Sequence, residues 1–125
     1  MQTKYYHPQL TKQFLAKNHF KYSYGWSDED DPAYIASFPV YRYYCVTTLE
    51  LRIVVYYRSN QVKLDVIDVG SRGIYAPWYR GETYKKYPLL REVDKNIEKI
   101  MKSLGFKKIE EEDIIPLRDI NQTLI

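Results

Sequence analysis

The chain holds a single cysteine in 125 residues, so it cannot close an internal disulfide, and a reducing compartment, the cytosol, is the expected setting. It carries no apolar run of the roughly 18 residues that a membrane-spanning helix needs. Met1 to Phe20, with Lys4, Lys12 and Lys17 among scattered apolar residues, lacks the continuous apolar segment of a signal peptide. The expectation is a soluble cytoplasmic protein with no membrane partner.

Histidine is nearly as scarce. His7 and His19 are the only two, and neither neighbours a serine, a cysteine or a paired carboxylate, so no nucleophile and base pair is legible. Cys45 falls inside a run of strand formers, where an inward-facing thiol acts as a small apolar group. Gly70-Ser71-Arg72-Gly73 follows a strand pattern but matches neither the phosphate-loop nor the dinucleotide fingerprint, and the next helix pattern opens only at Pro88. Ser71 also lacks the glycine spacing of a nucleophile elbow. Asp28-Glu29-Asp30-Asp31 has neither the alternation nor the glycine of a calcium loop, and adjacent acids in a turn point apart into water. No enzyme, cofactor or metal site is therefore expected. The acidic turn reads as solvated, or as a contact for a basic partner surface, or as a mimic of DNA phosphates.

There is no internal repeat, and 15.0 kDa suffices for one core and not two, so residues 1–125 read as a single α+β domain. Tyrosine is the compositional departure. Fourteen of them lift the aromatic share to 16%, against ordinary hydrophobic and charged fractions of 45% and 28%. A tyrosine buries a large ring behind a polar tip and is enriched where a surface meets a partner. The net charge of +3 is too small to argue for nucleic acid. Its distribution is uneven, however: Lys4, Lys12, Lys17 and Lys21 precede any acid, while Asp28–Asp31 and Glu110–Asp113 are acidic runs.

Leu49 to Val69 organises the fold. Leu49, Leu51, Ile53, Val55 and Tyr57 alternate with a second row, as do Val62, Leu64 and Val66, around Ser59-Asn60. A two-residue turn there predicts a hairpin pairing Tyr57 with Val62, Val55 with Leu64 and Ile53 with Val66. Upstream, Tyr34 to Thr47 reads as strand, with Pro39 marking either an edge strand or a break within the run, and with Cys45 opposite Leu51 and Tyr43 opposite Ile53. Phe20 to Trp26 is an extended segment or an aromatic loop, and Ile74 to Tyr79 offers a fourth, edge strand.

Pro8 to Asn18 has the pattern of a short helix, and Pro88 to Leu104 that of a long one, with Leu89, Val93, Ile97, Ile100 and Leu104 on one stripe and Gly105-Phe106 as its stop. Lys107 to Ile109 adds a short strand, and Leu117, Ile120 and Leu124 mark a final short helix after Pro116. The expected architecture is an antiparallel β-meander of three or four strands, with a long C-terminal amphipathic helix packed on one face and a short N-terminal helix.

The long connection carries the candidate site: Arg72, Tyr75, Trp78, Tyr79, Arg80, Tyr84, Lys85 and Lys86, with Glu82 its only acid. Tyr, Trp and Arg are the residues that anchor protein interfaces, and the same rings also suit a plain core-capping role. The expected function is a small non-enzymatic interaction protein, an adaptor or an inhibitor, including one encoded by a phage or mobile element and directed at a host nuclease. The competing expectation is single-stranded nucleic-acid binding, with Lys4, Lys12, Lys17, Arg80, Lys85 and Lys86 meeting phosphates and Tyr79 or Tyr84 stacking on bases.

Overall fold

The computed structural model describes residues 4–110. Its elements are β1 (Tyr5–Tyr6), α1 (Lys12–Lys17), β2 (Lys21–Asp28), β3 (Asp31–Tyr43), β4 (Val46–Tyr56), β5 (Gln61–Asp68), β6 (Gly73–Ile74), α2 (Ala76–Tyr79), α3 (Leu89–Ser103) and β7 (Lys107–Lys108). Strands β2-β3-β4-β5-β6 form one antiparallel sheet in that order, curled into a half-barrel, and β1 pairs with β7 in a separate ribbon. This corrects the expected architecture. Among the described residues the chain is mostly sheet, five strands plus two, with one helix of 15 residues, and not a short meander under a long helical cover.

β4 lies in the middle of the sheet and is buried on both faces, which its near-continuous apolar run Ile53-Val54-Val55-Tyr56 allows. Leu49, Leu51, Ile53 and Val55 face the concave core, where they meet Val66 of β5, Leu15 of α1, and Val93, Ile97 and Met101 of α3. Each such side chain, fully withdrawn from water, contributes about 1.5–3 kcal/mol. The convex face has a smaller cluster of Ala33, Val54 and Tyr56 under Trp26 and Ile35. Trp26 reaches it because the β2–β3 register slips between Ser23 and Asp28. Tyr22, of the same parity, packs on Tyr34 toward the concave core. The irregularity thus re-aims one ring to the opposite side of the sheet.

The β4–β5 hairpin forms with its faces as expected but two residues out of register, pairing Val55 with Val62, Ile53 with Leu64 and Leu51 with Val66. The turn is four residues, 57–60, and not Ser59-Asn60 alone. Asn60 sits at φ 59° and donates its N–H to Tyr56 O. Two residues from elsewhere hold the turn: Asp31 accepts from Arg58 N and Ser59 N, while the Asn60 amide accepts from His7 N and donates to His7 O. The β3–β4 register also differs from expectation. Their turn is Tyr44-Cys45, Tyr43 pairs with Val46, Phe38 with Leu51 and Ala36 with Ile53, so Cys45 is exposed at a hairpin tip and does not face the core.

α1 is shorter than the pattern from Pro8 suggested, because the Thr11 hydroxyl accepts from Phe14 N and starts the helix there. In α3 the fully buried stripe is Leu90, Val93, Ile97 and Met101, with Leu89, Ile100 and Leu104 only half-buried. Its C-terminus closes as a Schellman motif: Gly105 at φ 88° donates to Lys102 O, and Phe106 N donates to Met101 O. The expected helix after Pro116 lies outside the described residues, as does the acidic run beyond Glu110.

Candidate functional site

The aromatic connection is short of regular structure for a traceable reason. β6 covers only Ile67 and Asp68 of the β5 edge, after which Tyr75 N donates to Val66 O and the Tyr79 hydroxyl accepts from Val66 N. Pro77 then opens the single turn of α2, and Gly81 at φ 64° turns the chain toward α3. The edge strand expected over Ile74 to Tyr79 is therefore two residues of strand followed by a helical turn.

Two carboxylates fix three rings. Asp94, on α3, accepts from Trp78 Nε1 at 3.1 Å and from the Tyr84 hydroxyl at 2.8 Å. Asp65, on β5, accepts from the Tyr79 hydroxyl at 2.7 Å and from Arg52 at 2.9 Å. The Trp78 and Tyr79 rings meet edge to face at 4.9 Å, a preferred geometry for aromatic pairs. Burial, and then the hydrogen bond to Asp65, raise the Tyr79 phenol well above its usual range. Tyr84 is raised first by its bond to Asp94, and Tyr75 first by burial.

These rings border a groove of about 770 Å³ between the connection and α3, with Leu90 and Ile97 at its apolar base. Its size falls in the range of ligand pockets, about 300–1,000 Å³. Trp78, Tyr79 and Tyr84 line it; Arg80 and Lys86 stand beside it through their ion pairs to Glu82, at 3.1 and 3.7 Å. Lys85 is exposed nearby in sequence. Arg72 lies at the far end of the connection, exposed at φ 62°, and Tyr75 packs on the core; neither lines the groove. Sequence reading missed the α3 wall, namely Asp94 with Arg91 and Lys95. Its one available signal was spacing: Leu90, Asp94 and Ile97 share a helix face, which places an acid within an apolar row.

The most exposed tyrosines lie elsewhere. Tyr24 and Tyr44 are each 87% exposed, Tyr43 is 61% and Tyr22 56%, against 40% for Tyr84. The acidic turn is partly structural: besides the Asp31 bonds already described, Asp30 pairs with Arg58 at 2.8 Å, while Asp28 and Glu29 are exposed. His7 is buried, its Nε2 donating to Leu104 O at 2.9 Å and its Nδ1 accepting from Gln9 N; His19 is exposed. Among the described residues no three His, Cys, Asp or Glu side chains converge as a metal site, and no helix is long and apolar enough to cross a membrane. None of the protein-family models, characterised proteins or solved structures compared with this chain matches it.

Proposed function

We propose that this chain is a binding module without catalytic activity, an adaptor or inhibitor that engages a protein partner through the face between α2 and α3. The observation that carries the reading is the pinning of Trp78, Tyr79 and Tyr84 by Asp94 and Asp65 around a groove. Rings held in place before a partner arrives cost little side-chain entropy on binding, which is how Trp and Tyr become energetic anchors. Arg80, Lys85 and Lys86 supply exposed charge alongside.

The test is affinity capture from lysate with the wild-type chain, Trp78→Ala, Arg80→Ala, and Arg72→Ala as a control outside the groove, each checked for folding by circular dichroism. A partner retained by the control and lost with Trp78→Ala or Arg80→Ala supports the assignment. Undiminished recovery with both groove variants removes the face from consideration.

A further inference from the structure

The charged groups that line the groove are unevenly partnered: Glu82 and Glu98 have cations beside them, whereas Arg91 and Lys95 have no carboxylate within ion-pair distance among the described residues. The groove's three carboxylates are already engaged: Glu82 by Arg80 and Lys86, Glu98 by Lys108 at 2.9 Å, and Asp94 by the Trp78 and Tyr84 donors. Its two lining cations are not. Among the described residues neither Arg91 nor Lys95 has a carboxylate within 4.0 Å, and Arg91 instead lies 5.4 Å from the Tyr84 ring centroid. Lys85, exposed on the connection, likewise has no ion-pair partner among them. Stacking on a ring pre-orients a guanidinium without neutralising it.

We infer that the groove takes an acidic segment of a partner protein, one whose carboxylates meet Arg91 and Lys95 while an apolar side chain enters between the Trp78 and Tyr84 rings above Leu90 and Ile97. This rests on the reading of the face as a protein interface. An acidic peptide fits better than a phosphate backbone for two reasons. The apolar base complements an aliphatic or aromatic side chain and offers nothing to a base edge, and the Asp94 carboxylate, bonded among the described residues only by the neutral Trp78 and Tyr84 donors, keeps its charge and disfavours an evenly charged strand. Isolated carboxylates on either side of an apolar anchor can reach the two cations and avoid that acid.

The experiment is selection of a random linear peptide library on the immobilised full chain, repeated on Trp78→Ala and on Arg91→Glu/Lys95→Glu, with an oligothymidylate titration at low salt alongside. The expected result is enrichment of peptides with Asp or Glu flanking a large apolar residue. Their affinity should fall about tenfold or more on the double reversal, a change of about 1.4 kcal/mol per decade, and weaken with salt. Peptides without acidic bias that still need Trp78 overturn the acidic assignment and leave the interface standing. Enrichment indifferent to Trp78→Ala, or none, overturns both. Oligothymidylate binding that the double reversal abolishes overturns the inference in favour of nucleic acid.

Discussion

Trp78 and Asp94 stand 16 residues apart in the chain, and the indole N–H of one donates to a carboxylate oxygen of the other at 3.1 Å. That contact, shared at the second oxygen with Tyr84, ties an otherwise irregular connection to α3. Asp94→Ala removes both acceptors. A hydrogen bond to a charged group contributes about 1.5–3 kcal/mol when buried, but Tyr84 is exposed, so most of the loss comes from Trp78. The expected destabilisation is about 1–2 kcal/mol by urea unfolding. Amide exchange should accelerate in residues 78–87 ahead of β4, and equal acceleration in both would contradict a local clamp.

Tyr79 ties the connection to the sheet in a way that alkali should undo. Its folded-state phenol is raised, so it keeps its proton where the unfolded chain has lost its own. The stabilisation is complete below the unfolded value of about 10 and is lost as pH climbs through the folded value, because the native state then binds more protons than the unfolded one. Tyr79→Phe should lower stability at neutral pH, leaving Asp65 and the Val66 amide short of a partner each, while flattening the decline above pH ~10. An identical alkaline slope in wild type and variant would show that Tyr79 is not the titrating group. Tyr34 and Tyr75, also raised first by burial, contribute the background slope.

Side-chain period explains both what the sequence disclosed and what it concealed. Alternation at Leu51, Ile53 and Val55 sets which face is buried, and that parity survives in the structure. A slip of two residues preserves parity, so apolar matching alone could not choose between Val55 opposite Leu64 and Val55 opposite Val62. The choice is made by Asp31 and His7, far away in sequence, gripping residues 58–60. Cys45 lies at a hairpin tip and not in the core because Tyr44 accepts φ 58°, a conformation that tyrosine identity argues against. The ring half of the groove was visible as composition in the connection. Its acidic half was not, since Asp94 is one polar residue on a helix until Trp78 and Tyr84 are seen to bond to it.

Gly105 joins helix termination to the buried His7. It sits at φ 88°, and a Cβ there would lie 3.1 Å from His7 Nε2, the atom that bonds Leu104 O. Gly105→Ala meets both a left-handed backbone penalty of about 1–2 kcal/mol and a contact too tight for a ring held by Phe14 at 4.1 Å and Phe106 at 5.0 Å. The destabilisation should exceed about 2 kcal/mol by denaturant titration, opposite in sign to the gain of about 0.4–1 kcal/mol that Gly→Ala brings where space and φ allow. A neutral outcome would mean that the C-terminus of α3 ends some other way.

Tyr44 offers the opposite expectation, a substitution that stabilises. A two-residue hairpin turn favours Gly, Asn or Asp where φ is positive, and Tyr44 occupies such a position at φ 58° with 87% of its surface exposed. Its one ring contact among the described residues, to Tyr43 at 4.6 Å, is at the solvent-facing tip and returns little. Tyr44→Gly relieves backbone strain of about 1–2 kcal/mol but adds about 0.5–1 kcal/mol of unfolded-state entropy, so the gain is small. Tyr44→Asn tolerates the same backbone with less entropy to lose and should raise stability by about 0.5–1 kcal/mol, roughly 2–4 °C in Tm. A fall in Tm for both variants would show that the tip rings stabilise the hairpin. A rise would show that the positive φ at Tyr44 costs more than its ring contact returns, as is common where folding stability is not at its optimum.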